Sequence, residues 1–172
     1  MTRYQLAKLV QWAGTLQARK RLQKVVYLLQ VAGYPSDDEF GLHLFGPYSS
    51  GVAERADEMT NLGLLKEESR SNYAGKQYNY TLTPEVESQL AALEATAQGQ
   101  ALAAAVAPFE ARARELFSKD VRELEVAATI AFFRRQGRDW SEAVTRTCNF
   151  KGMKPQDALV RCAEALAHAV VP

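Results

Sequence analysis

The chain has 172 residues, 47% hydrophobic and 24% charged, with a formal net charge of +1. That length holds one domain or a small pair, and the apolar fraction supplies a packed core and excludes a disordered chain. Ten Lys/Arg against eight Asp/Glu in residues 1–84, and eleven against twelve in 85–172, exclude a broadly basic protein, so any electrostatic footprint on nucleic acid has to be local.

In chain order, 4–17 places Leu6, Leu9, Val10 and Ala13 on one helical face, and 22–29 repeats the pattern with Leu22, Val25, Val26 and Leu29. Gly33 and Pro35 stop the second helix. After the acidic turn Asp37-Asp38-Glu39, a strand is predicted over 40–45 and is ended by Gly46-Pro47. Ser49 or Ser50 caps a third helix that buries Val52, Ala56 and Met59 and closes at Gly63. Residues 64–69 and the alternating Tyr78, Tyr80 and Leu82 read as two strands around a loop, a small β-wing.

Thr83-Pro84-Glu85 is a helix start, with a hydroxyl cap and proline at the first helical position. The alanine-rich stretch 91–107 reads as helix interrupted near Gly99 and restarted after Pro108, and it marks the expected module boundary. Residues 121–136 are apolar nearly all round, as in the central helix of a bundle. Asp139 caps the next helix, with Glu142 three residues on, and Pro155 opens the last, which runs to about Val170. The predicted fold is mainly α within an α+β class. A winged helix-turn-helix domain with a small wing over 1–85 is followed by a helical module over 86–172.

Several short motifs resemble the YwgA-like family, which is related in plan to the Panacea or SocA-like antitoxin domains. They are Leu22-Gln23-Lys24-Val25-Val26-Tyr27-Leu28-Leu29, Leu44-Phe45-Gly46-Pro47-Tyr48-Ser49, Asn61-Leu62-Gly63-Leu64-Leu65 and Leu124-Glu125-Val126-Ala127-Ala128-Thr129-Ile130, with Trp140 and Lys154-Pro155. The resemblance implies a winged-helix module followed by a helical one, and roles in DNA binding, antitoxin or chaperone-like action and phage defence. It carries over no catalytic residue.

Two function classes follow. The first is a DNA-binding transcription regulator whose contacts to double-stranded DNA come from Arg19, Lys20, Arg21 and Lys24 at the start of the second helix and from Arg70, Asn72 and Lys76 around the wing, where cations neutralise phosphates. Against it stands the third helix, usually the major-groove element, which holds Glu54, Asp57 and Glu58 against Arg55 alone. The second is a protein-interaction module, such as an antitoxin or adaptor, with Tyr48 beside Gly46-Pro47 and with Glu54, Arg55 and Glu58 as contacts. The alanine-rich helices also allow a homodimer.

Catalysis is not expected. His43 and His168 lack a metal-like spacing partner, Asp37-Asp38-Glu39 reads as a turn, and Ser49-Ser50 reads as a cap rather than a nucleophile. There is no glycine-rich phosphate loop, and neither a cofactor nor a metal is implied. Cys148 and Cys162 read as buried free thiols. Without an apolar run of about 18 residues or a leader-like N-terminus, the expected setting is the cytoplasm, with no membrane partner.

Overall fold

The computed structural model describes residues 1–72 and 75–172, and side chains outside 70–76. Helix and a small antiparallel sheet account for most of it, an α+β arrangement in which helix dominates. Among the described residues, no helix is long and apolar enough to cross a membrane.

Helix α1 (Arg3–Ala13) starts on a capping box in which Thr2 and Gln5 satisfy each other's backbone N–H groups. It ends sooner than its apolar period predicts, because Gly14 turns the chain at φ 67° into a two-residue strand β1 (Leu16–Gln17). Helix α2 (Arg19–Val31) follows, with Val25, Val26, Leu28 and Leu29 all excluded from solvent. The predicted strand at 40–45 is in fact the first half of a hairpin. Strand β2 (Gly41–His43) turns through Leu44 and Phe45 and returns as β3 (Gly46–Tyr48), so Gly46-Pro47 begins a strand instead of ending one.

Helix α3 (Ser50–Asn61) is capped by Ser49, whose hydroxyl accepts from the Val52 N–H at 3.4 Å. Strands β4 (Leu65–Asn72) and β5 (Gly75–Leu82) pair antiparallel from Leu65↔Leu82 to Asn72↔Gly75. Strand β1 adds to the far side of β5, giving the sheet order β1-β5-β4 with Leu16 opposite Tyr80.

The remaining described chain is helical: α4 (Pro84–Glu94), α5 (Ala97–Val106), a single 3₁₀ turn (Ala107–Phe109), α6 (Glu110–Ser118), α7 (Val121–Arg135), α8 (Trp140–Lys151) and α9 (Ala158–Val170). Three local expectations change. The Thr83 hydroxyl makes no cap hydrogen bond to α4. The break in the alanine-rich stretch falls at residues 95 and 96, where Thr96 caps α5 by accepting from the Gly99 N–H, so Gly99 lies inside that helix. Helix α9 begins after Pro155, at the Asp157 cap position.

A continuous apolar cluster runs from Leu6 in α1 through Val25 in α2 to Ala127 in α7 and Val170 in α9. Helix α2 packs on α6, α7 and α9 as well as on β3, so the helices after residue 86 press directly on the N-terminal elements. Cys148 is buried, but Cys162 is exposed, contrary to the expectation for that second thiol.

Candidate functional site

The first turns of α2, the β2–β3 hairpin and α3 enclose a cleft of about 430 Å³. Leu22, Phe45, Ala53 and Ala56 give it apolar walls, and Arg19, Lys20 and Lys24 supply charge. The hairpin is held down at its glycine. Gly46 has φ 93°, and a Cβ there would lie 2.6 Å from the Thr129 hydroxyl and 3.3 Å from the Glu125 carbonyl of α7, so only glycine lets the strand approach that helix. Gln23 fixes the other end through a reciprocal pair, donating to the Ser49 carbonyl at 2.9 Å and accepting from the Ser49 N–H at 2.8 Å. With its backbone pinned on both sides, the hairpin presents its tip to solvent: Leu44 is 77% exposed and Phe45 49%.

The four predicted phosphate contacts at the start of α2 part company. Arg19 faces the third helix and the sheet. It bridges Asp57 at 2.8 Å and Glu67 at 3.1 Å, donates to the Tyr80 hydroxyl at 2.6 Å and lies over the Tyr78 ring. Those partners raise its pKa despite partial burial. Lys20 bridges Glu125 at 3.1 Å and sits 3.6 Å from the centre of the Phe45 ring. Arg21 points inward and donates to the Phe117 and Lys119 carbonyls at the end of α6.

Lys24 is the largest departure from expectation. It is 2% exposed and donates to the Pro47 carbonyl at 2.5 Å, so it is no surface phosphate contact. Burial pushes its pKa down to about 8, countered by Glu125 and reinforced by the like charges of Lys151 and Lys20. Lys151 is lowered too, chiefly by burial. Of the wing residues, Arg70, Asn72 and Lys76 have side chains that lie outside the described ones.

The expected protein contacts are more dispersed. Tyr48 is at the surface, its ring 4.9 Å from that of His43 on the opposite strand. Glu54 is exposed on α3, away from the cleft. Arg55 and Arg3 both pair with Glu58, which holds that carboxyl below its usual range. The sequence reading missed Phe45, Leu44 and Lys151 as neighbours of the site. The first two were legible as two large apolar residues at a turn, where hydrophobic side chains have little to cover. Lys151 was not, because only the packing of α8 beside α7 brings it there. His168, expected to be structural or on the surface, stacks on Trp140 at 3.5 Å. Among the described residues, no three His, Cys, Asp or Glu gather into a metal-sized group.

Three motifs far apart in sequence thus meet at one place: the 22–29 segment in α2, the 44–49 segment in the hairpin and the 124–130 segment in α7. No family model matches the chain. Over 78 residues, 45% of the chain, it is 33% identical to Uncharacterized protein YwgA of Bacillus subtilis (strain 168), and the match spans 47% of that protein, about half its length. Over that stretch the chain is similar to YwgA, in keeping with the resemblance its motifs carry.

Proposed function

We propose that this chain is a non-catalytic regulatory module that works by holding a protein partner, built on a winged-helix plan. The observation that carries it is the pinned hairpin, which lifts Leu44 and Phe45 into solvent over a cleft with apolar walls. Large apolar groups fixed at a surface lose little further entropy on contact and gain area burial, which is how interface anchors act. The winged-helix plan draws support from the element order of helix, short strand, helix, short hairpin, helix and longer hairpin, and from β1 joining the sheet beside the second wing strand.

DNA binding is the second reading, favoured by the placement of Arg19 and Lys20 at the start of α2. It ranks below the first because Arg19 is committed to Asp57 and Glu67, Lys20 to Glu125, Arg21 to backbone carbonyls and Lys24 to the interior. A phosphate would have to compete with each of these partners.

The two readings separate by site-specific photocrosslinking. A benzophenone side chain placed at position 44 in the living cell should give a discrete adduct that protease removes and nuclease does not, while one placed at the exposed Arg146 should not. A nuclease-sensitive adduct, together with duplex binding that falls steeply with salt, would establish the DNA reading instead.

A further inference from the structure

We infer that the cleft between α2, the β2–β3 hairpin and α3 takes an acidic segment of a partner protein, seating an apolar side chain against Leu22 and Phe45 and a carboxylate on the Lys24 ammonium. The inference rests on the protein-binding reading and adds the chemistry of the partner.

Lys24 carries the argument. An ammonium has three N–H donors, and among the described residues only the Pro47 carbonyl accepts from it. Burying a cation with so little compensation is unfavourable, and an apolar side chain of the same length would pack the cleft floor at lower cost. A ligand carboxylate supplies what the interior does not. Glu125, the one carboxylate that attracts Lys24 here, already bridges Lys20 at 3.1 Å, and Lys151 presses on the same group. Three lysines therefore share one acid, and the residues lining the cleft include no Asp or Glu. Asp57 lies nearby, but it is taken by Arg19.

The shape indicates a peptide. A second recess of about 410 Å³ lies across the hairpin tip, sharing Leu44 and Phe45 with the first and lined by Arg122, Lys151 and Phe150, with Glu125 between. An extended chain crossing Phe45 would place successive side chains in both recesses and meet cations in each. A duplex fits poorly, because its phosphates sit on a convex backbone and cannot descend to a buried ammonium between apolar walls. Lowered basicity in the empty cleft adds a signature. A bound carboxylate restores the proton to Lys24, so affinity should weaken as pH rises from 7 to 9. The other groups facing it are Lys20, Lys151, Glu125, His43 and Tyr48.

The test is selection of phage-displayed random dodecapeptides on the full chain at pH 7, followed by anisotropy with the resynthesised, labelled peptides and, separately, with a labelled DNA duplex. The expected outcome is enrichment of sequences that combine an apolar or aromatic residue with Asp or Glu. Binding should weaken about tenfold or more in Lys24→Met, as for loss of a close charge pair, and should weaken from pH 7 to 9 in the wild type but not in Lys24→Met. Enriched sequences without carboxylates, or binding that is indifferent both to Lys24→Met and to pH, would overturn the acidic-segment proposal. If that binding were still lost in Phe45→Ser, the protein-binding reading would stand alone. Binding of the duplex with no peptide enriched would overturn both. Should Lys24→Met fail to fold, the pH dependence of the wild type decides.

Discussion

At the scale of single residues, two backbone positions report opposite kinds of strain. Gly46 is a glycine by necessity: a methyl group there meets the Thr129 hydroxyl at 2.6 Å, and that hydroxyl is itself committed, donating to the Glu125 carbonyl at 2.7 Å. Gly46→Ala should destabilise the protein by about 2–4 kcal/mol, combining overpacking with a positive φ. Thr129→Ala in the same chain should recover part of that loss, a coupling that a double-mutant cycle in urea reads directly. Ala18 is the converse. It is the one non-glycine residue with positive φ among those described, at φ 65° and ψ 129°, held there because its N–H donates to the Tyr78 carbonyl at 2.9 Å. Ala18→Gly should therefore raise stability by roughly 1 kcal/mol, against the usual penalty for glycine, seen as a higher urea midpoint at unchanged m-value.

At the scale of elements, arginines tie helix ends to one another. Arg21 of α2 reaches the terminal carbonyls of α6, Arg114 donates to the Trp12 carbonyl of α1 at 2.9 Å, and Arg112 donates to the Ala169 carbonyl of α9. These carbonyls are the acceptors that a helix cannot satisfy internally, and they lie at its negative end. Arg21→Met keeps most of the alkyl stem and removes the fork. It should cost about 1–3 kcal/mol in thermal or chemical unfolding, the range for charge-assisted bonds partly removed from water. Such ties are invisible in sequence, where Arg19, Lys20, Arg21 and Lys24 look like one solvated basic cluster. The helical period made the burial of Leu22, Val25, Val26 and Leu29 legible. It also placed Lys24 one residue before Val25, but nothing local says that the face is wide enough to bury that residue as well. What widens it is α7, whose first residue, Val121, lies 97 residues beyond Lys24 in the chain. Pairing invisible in the local sequence also explains why 4–17 reads as one helix and 40–45 as one strand. Two-residue β1 and three-residue β2 are too short to show alternation, and their partners are supplied by β5 and by a turn through exposed apolar residues.

For the whole molecule, the buried titratable groups set a pH profile for stability. Lys24 holds its proton less tightly folded, near pKa 8, than in its ordinary state near 10.5. Below pH 8 both states are protonated and the group contributes no slope. Between about 8 and 10.5 the unfolded chain binds the extra proton, so stability rises with pH. Lys151 acts in the same direction, and Cys148, raised chiefly by burial, acts against it. Tyr27, Tyr34 and Tyr80 are all raised by burial, so above about pH 10 the unfolded chain loses protons that the folded chain keeps, and stability falls. The melting temperature should accordingly climb from pH 8 and turn down beyond pH 10. The increment due to Lys24 is the part of the climb that Lys24→Met abolishes, on the order of 1–3 kcal/mol. Parallel wild-type and variant curves across that interval would show that the ammonium is solvated in the folded state.

The inward-facing Arg21 guanidinium has one more consequence. With 21 Lys and Arg against 20 Asp and Glu, adhesion to a polyanionic matrix such as heparin would have to come from a local cluster such as the start of α2. Here Arg21 serves as an internal joint between a cation and neutral carbonyls, a contact that dissolved ions screen little because it is partly buried. Added salt should leave the architecture intact while weakening whatever docks on the remaining lysines. Ionic strength thereby becomes a knob that turns association without turning folding, and a column gradient can separate the two effects before any variant is made.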